Sequence, residues 1–311
     1  MASLRSEFFV FVLKYRHLLK CKRRRTNVDE NTPVAQLRDE VERGADFFGK
    51  LPPGCTLEGV YIDGLEGEWM LPPDTAKDRA VLYFHGGGLV MGSIRAHRGI
   101  VSRFVKGSGV PALVINYALA PEHPFPAGLN DAVKAYEYLL SLAINPNRIV
   151  FMGDSGGGNL CLAALLACRE RALPMPAGAV TLSAWTDLTN SSPSYTSNAE
   201  KDTLCWPDAQ RVFAEYYTAG QDANNPLISP VFGDLSGLPP LLLYAGGDEL
   251  LRDDSVRFAE KAEKSGVDVT LHVGEGLFHC YPAVGPLFPE AKEAIERICR
   301  FVRKKTEGGK A

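Results

Sequence analysis

Ser155 lies in the stretch FMGDSGGGNL, residues 151–160. A serine with glycine two positions before and two after it can be a nucleophile held in a tight turn. A glycine-rich turn can equally cradle a phosphate at a helix N-terminus. The flanking sequence separates the two. Ile149 to Met152 is a short apolar run that reads as a strand, and GGGNLCLAALLACRE after the serine has apolar residues at helical spacing. Strand, tight turn and helix together lift a serine hydroxyl above a sheet edge, and Gly153 and Gly157 stand where a Cβ would collide with neighbouring backbone. Neither the G-x-G-x-x-G spacing of dinucleotide folds nor the G-K-[S/T] ending of a P-loop is present, so the phosphate reading falls away.

An acyl-transfer nucleophile needs donors for the oxyanion that forms on its substrate. His85-Gly86-Gly87-Gly88 follows the apolar run Val81 to Phe84, about 70 residues before the serine. Glycines there let backbone N–H groups turn inward without side-chain obstruction, and Gly87, Gly88 and Gly156 are the expected donors. His85 reads as an organiser of this loop rather than a catalyst.

Serine is a weak nucleophile until a histidine takes its proton and a carboxylate fixes the imidazole tautomer. Of six histidines, His272 and His279 follow Ser155; His272 is inside the strand-like VTLHV, whereas His279 falls in GEGLFHCYP, the loop after the last strand, where a mobile, mostly solvent-side imidazole could swing to the serine. His279 is the expected base. The preceding strand ends LLLYAGGDELLRDD, which makes Asp248, at its carboxyl end, the expected acid; Glu249, Asp253 and Asp254 read as helix-cap or solvated residues. Gly-Asp-Ser-Gly-Gly also surrounds the nucleophile of trypsin-like proteases, but those place histidine and aspartate before the serine.

The elements that must position these residues are legible as well. GVYIDGLEGEWMLP reads as a hairpin turning at Asp63-Gly64 or Glu66-Gly67, and apolar runs recur at Val81 to Phe84, Ala112 to Tyr117, Ile149 to Met152, Ala179 to Leu182, Leu241 to Tyr244 and Val269 to Val273. Helix-sized segments lie between most of them, the pattern of a parallel sheet covered on both faces. Between Trp185 and Pro230 a polar stretch of over 40 residues interrupts the alternation; its second half, Pro207 to Tyr217, has helical periodicity and reads as a lid element.

With 311 residues, 45% hydrophobic, 23% charged and a formal net charge of -3, the chain has an ordinary globular balance and nothing global that suggests nucleic acid. Seven cysteines without metal-like spacing read as free thiols of a reducing, cytoplasmic compartment, and no metal or organic cofactor is expected. Residues 1 to about 45 read as helix. Before Thr26 they carry eight basic residues against one acid, Glu7. A lid helix with a solvated basic end is the first reading, and docking on anionic lipid is the alternative.

HGGG, YALAPEHPFPA (Tyr117 to Ala127), GDSGGGNL, GLPPLLLYAGGDELLRD and GLFHCY, in this order, resemble the hormone-sensitive-lipase family of α/β-hydrolases, from about residue 50 to 305. The resemblance implies a mostly parallel eight-stranded sheet flanked by helices, with a helical cap from residues 1–45 and 187–225 on a catalytic domain of 46–186 and 226–311. It implies a serine carboxylesterase acting on a small-molecule ester; Ser155, Asp248 and His279 are the expected triad, and Leu89, Trp206 and Phe213 are expected against the substrate. Short to medium acyl groups are expected from the lid aromatics. An amide or acetyl-ester deacylase, a non-catalytic receptor on the same fold, and a homodimer are the alternatives carried forward. Two departures stand out: Gly156 where the family usually has alanine, and Ala118 where it usually has arginine.

Overall fold

The computed structural model describes residues 2–15, 28–29, 31–48, 51–73 and 77–307, with the backbone alone for 46–48. Eight strands form one sheet: β1 (Thr56–Ile62), β2 (Leu65–Leu71), β3 (Ala80–Phe84), β4 (Ala112–Ile115), β5 (Ile149–Asp154), β6 (Gly178–Leu182), β7 (Leu241–Gly246) and β8 (Val269–Gly274). Their order is β1-β2-β4-β3-β5-β6-β7-β8, antiparallel in the first two pairings and parallel from β4 to β8. The hairpin turns at Asp63-Gly64, both at positive φ, which selects one of the two turns open in the sequence. β4 stops at Ile115, two residues short of the expected run.

Both faces of the sheet are buried, which is why its central strands are continuous apolar runs. Along β5, Ile149 and Phe151 enter one core and Val150 and Met152 the other. The first core is filled by α4 (Ala127–Ser141), α5 (Gly156–Glu170) and α8 (Arg252–Lys264); the second by α3 (Ile94–Ser108) and α9 (Pro289–Thr306). α5 runs behind the centre of the sheet and is buried from Gly156 to Cys168, so its apolar residues occupy every side rather than one stripe.

Among the described residues the N-terminal region holds two helices, α1 (Leu4–Tyr15) and α2 (Val34–Phe48). Phe9 of α1 stacks on Phe278 at 5.6 Å and meets Phe288 at 5.8 Å, while Ser3 and Ser6 hydrogen-bond the Glu290 carboxylate at the start of α9. Arg38 of α2 forks onto Glu122 and donates to the carbonyls of Val90 and Ala120. The basic run Lys20 and Lys22 to Arg25 lies outside the described residues.

The 187–225 segment contains the short α6 (Ser194–Ser197) and α7 (Pro207–Thr218), the latter within a residue of its expected bounds. Its first half is tied to the body through Asp254, which the sequence suggested was a cap or solvated residue. Asp254 is fully buried; its carboxylate accepts the Thr186 and Asp187 N–H groups, both at 3.0 Å, and the Ser192 hydroxyl at 2.5 Å. Burial pushes its pKa well above the carboxylate range.

Candidate functional site

The β5–α5 turn holds Ser155 at φ 53°, ψ −120°, a conformation costing about 1–3 kcal/mol that the surrounding structure must over-determine. It does so by contact. A Cβ on Gly157 would lie 2.1 Å from the Phe84 carbonyl oxygen and 2.4 Å from that of His85, and one on Gly153 would lie 2.3 Å from the Gly157 oxygen. The turn is thus pressed onto the end of β3, where the glycine loop begins.

Asp154, just before the nucleophile, fastens that loop. Its carboxylate accepts the Gly86 N–H at 3.0 Å and the Tyr83 hydroxyl at 2.8 Å, and it faces His97 of α3 at 3.4 Å. Burial alone would raise its pKa; the His97 charge together with hydrogen bonds from His97 and Tyr83 outweighs this and lowers it, while the His97 pKa is raised by the same pairing against its own burial. His85 stacks on Tyr117 at 4.3 Å, and burial and His97 lower its pKa to about 3, so it is neutral and structural. Asp154, Tyr83 and His97 were not singled out in the sequence; a carboxylate next to the nucleophile was the available signal.

Gly88 and Leu89 both take positive φ, and their N–H groups lie over Gly156: a Cβ there would be 2.9 Å from Gly88 N and 2.8 Å from Leu89 N. Two expected oxyanion donors, Gly88 and Gly156, are therefore neighbours in space. Leu89 itself is buried, and its carbonyl accepts the Ala120 N–H. Phe213 of α7 reaches the same loop, since a Cβ on Gly88 would be 2.6 Å from its ring. Trp206, at the N-cap of α7, is half-buried.

His279 is buried, 8% exposed, and is held rather than mobile. Its Nδ1 meets Glu249 Oε2 at 3.1 Å, so the carboxylate against the imidazole belongs to Glu249, not to Asp248. The strand-end argument located the loop but could not choose between adjacent acids. After β7 the Asp248 N–H bonds the Leu277 carbonyl at 3.0 Å, leaving its side chain partly exposed, whereas Glu249 is fully buried and turned inward. That loop is fixed by the 187–225 segment: Asn198 donates to the carbonyls of Gly247 and Glu249, and Asp202 accepts the Leu250 N–H at 2.8 Å.

The Ser155 turn and Cys280, the neighbour of His279, share an anchor. The Leu182 carbonyl accepts the Ser155 N–H at 2.8 Å and the Cys280 thiol at 3.4 Å, and the Cys280 sulfur is 3.5 Å from His279 Nε2. Burial works against a charged His279, but the polar groups around the ring, the Cys205 and Cys280 sulfurs and the Glu249 carboxylate at 3.1 Å, hold its pKa above the ordinary value. Burial keeps the Cys205 thiol protonated, its pKa pushed up to about 11. His272 sits on β8 with its ring 5.0 Å from that of Tyr244, a sheet-face residue as expected.

Glu249→Gln is expected to lower kcat by roughly 10³- to 10⁴-fold, because the imidazole loses its orienting anion, while Asp248→Asn stays within a few-fold of wild type; steady-state kinetics checks the pair. Since only neutral His279 can accept a proton and its pKa is raised, kcat/KM should fall as pH drops through an inflection above 6.5. Gly156→Ala should cost about 10- to 100-fold in kcat by pushing the loop away from the oxyanion position, with thermal unfolding little changed.

A strained serine turn, an inward N–H loop and a carboxylate-held imidazole, all at the carboxyl edge of a parallel sheet, are what nucleophilic acyl transfer requires. The family model for the α/β-hydrolase fold matches residues 81–283. An acetyl-hydrolase of Streptomyces hygroscopicus is 38% identical over 90% of this chain and 93% of its own, and an esterase of Acinetobacter venetianus is 34% identical over 89% and 91%. Among solved structures, EstE5 soaked with ethyl alcohol superposes at a TM-score of 0.91 with 37% identity, covering 98% of this chain and all of that one. A hormone-sensitive lipase from a metagenome library gives 0.90 at 35% identity, covering 98% and 99%. The chain therefore belongs to the α/β-hydrolase family, in its hormone-sensitive-lipase branch.

Proposed function

We propose that this protein is a serine carboxylesterase that cleaves small esters through an acyl-enzyme. The observation that carries the reading is His279, held by Glu249 and followed in the chain by Cys280, whose thiol shares the Leu182 carbonyl with the Ser155 N–H. Ser155 Oγ attacks the ester carbonyl as His279 Nε2 takes its proton, and Glu249 stabilises the imidazolium. The N–H groups of Gly87, Gly88 and Gly156 receive the oxyanion; the imidazolium then protonates the leaving alcohol, and water repeats the sequence on the acyl-serine. The relatives point to short acyl groups: one is an ethyl acetate hydrolase of Pseudomonas putida, and EstE5 was soaked with p-nitrophenyl butyrate. Residues 1–45 and 187–225 act as the cap. We read the second segment as a rigid roof rather than a swinging lid, because Asn198 and Asp202 tie it to the acid loop.

Purified protein is expected to hydrolyse p-nitrophenyl acetate and butyrate faster than longer acyl esters, and Ser155→Ala to lose this activity with the fold intact. Equal rates for wild type and Ser155→Ala would overturn the reading, and faster cleavage of matched amides would favour a deacylase.

A second reading rests on α1. Leu4, Phe8 and Phe11 share one face and are 84%, 69% and 58% exposed, with Arg5 and Lys14 exposed at its sides. The chain before Thr26 is strongly basic. An apolar stripe beside basic charge matches an anionic bilayer surface. No helix among the described residues is long and apolar enough to cross a membrane, so the contact is peripheral. The full chain should co-sediment with phosphatidylglycerol vesicles at low salt, and less so at high salt or as Phe8→Ser/Phe11→Ser. Equal recovery in the supernatant with and without vesicles removes this reading, and salt-insensitive self-association assigns the stripe to a second copy.

A further inference from the structure

α7 crosses the catalytic constellation, and its inward stripe carries more polar chemistry than a roof over alkyl esters needs. Gln210, Phe213 and Tyr217 recur at i, i+3 and i+7, so they line one face of the helix, and Trp206 stands at its N-cap. One contact and one chain neighbour fix where the helix lies. Phe213 meets the oxyanion loop at Gly88, and Trp206 directly follows Cys205, whose sulfur is beside the His279 ring. The helix therefore runs from the imidazole to the oxyanion loop.

On α7 and its N-cap the Trp206 Nε1–H, an oxygen of the Gln210 amide and the Tyr217 hydroxyl are all shielded from solvent without a hydrogen-bond partner among the described residues. Gln210 is 6% exposed and Tyr217 1%. Buried polar groups normally find partners, and leaving one unmet is unfavourable. Two of these three lie on the face that carries Phe213, the ring that touches the Gly88 loop, and the third is at the N-cap of the same helix.

We propose that Gln210 and Tyr217 of α7, with Trp206 at its N-cap, form a polar recognition site, and that the preferred substrate is an ester bearing a hydrogen-bonding group (hydroxyl, oxo or amide) beyond the scissile carboxyl. This rests on the esterase reading and narrows its substrate class. Phe213 supplies the apolar contact between these groups, and a plain alkyl chain leaves them unpaired, the arrangement by which a site rejects an analogue lacking the polar group. Trp206, Phe213 and Tyr217 were expected from the sequence as lid aromatics favouring an apolar group; Gln210 was not expected there.

The test uses matched pairs: ethyl butyrate against ethyl 3-hydroxybutyrate for the acyl side, and butyl butyrate against the monobutyrate of 1,4-butanediol for the alcohol side. Wild-type kcat/KM should favour the hydroxylated member of at least one pair by roughly tenfold or more. Gln210→Met and Trp206→Phe, which keep volume and remove the polar atoms, should bring that ratio towards one, mainly through KM. The same pairs offered to Ser155→Ala give a ratio of Kd values by calorimetry without turnover, so a failure of the esterase reading still leaves this one readable. Ratios near one in the wild type for both pairs, or ratios that Gln210→Met and Trp206→Phe leave unchanged, overturn it and assign the orphaned atoms to buried water.

Discussion

The arrangement depends on how closely the β5–α5 turn approaches the end of β3. Gly157 sits within a Cβ's radius of the Phe84 and His85 carbonyl oxygens, so the turn that strains Ser155 and the loop that supplies the N–H groups are one packed unit. Neither could hold its shape alone: positive φ at Ser155, Gly88 and Leu89 is tolerated because each segment is the wall of the other. The Asp154 carboxylate stitches the two chemically, accepting from Gly86 and Tyr83, and its pairing with His97 carries the constraint into α3. Catalytic geometry here is a property of backbone contact before it is one of side-chain identity.

The second half of the proposed site comes from the other side of the sheet's centre and is held by different means. β7 and β8 end in loops carrying Glu249 and His279, and neither loop is glycine-locked against the nucleophile. Hydrogen bonds through shared carbonyls and buried side chains do the aligning: Leu182 serves both Ser155 and Cys280, Asn198 and Asp202 clamp the chain around Glu249, and Asp254 fastens the segment that bears them. The 187–225 segment therefore makes two kinds of contact, packing α7 on the Gly88 loop and fixing the chain around Glu249. This explains why a long polar stretch between two strands is well packed: its serines, asparagines and aspartates satisfy backbone groups of the loops beneath.

Gly156 gains a physical meaning in this setting. With alanine there, the Cβ would fall at 2.8–2.9 Å from two backbone nitrogens of the oxyanion loop, so the glycine goes with a loop seated closer to the nucleophile turn. Ala118 has no comparable account; nothing in the structure explains the loss of the family's arginine.

What the sequence determined by itself was whatever depends on local backbone chemistry and periodicity. The strand-turn-helix around Ser155, the glycine loop after β3, the alternation that demands a two-faced parallel sheet, the helix at Pro207 and the position of His279 after the last strand all follow from spacing and residue type, and the structure places each where expected. What it could not determine was which way neighbouring side chains turn once the chain leaves regular structure. Asp248 and Glu249 are adjacent and chemically alike, and the choice between them is made by the Asp248 N–H bonding Leu277 and by the clamp from Asn198 and Asp202, contacts between segments tens of residues apart. The same holds for Asp254, which looked like a cap and proved to be a buried anchor, and for the orphaned polar atoms of α7, since periodicity shows that Gln210 shares a face with Phe213 but only packing shows what that face covers. Local pattern sets backbone path; the direction of a side chain in a loop is decided by partners that only the folded chain brings within reach.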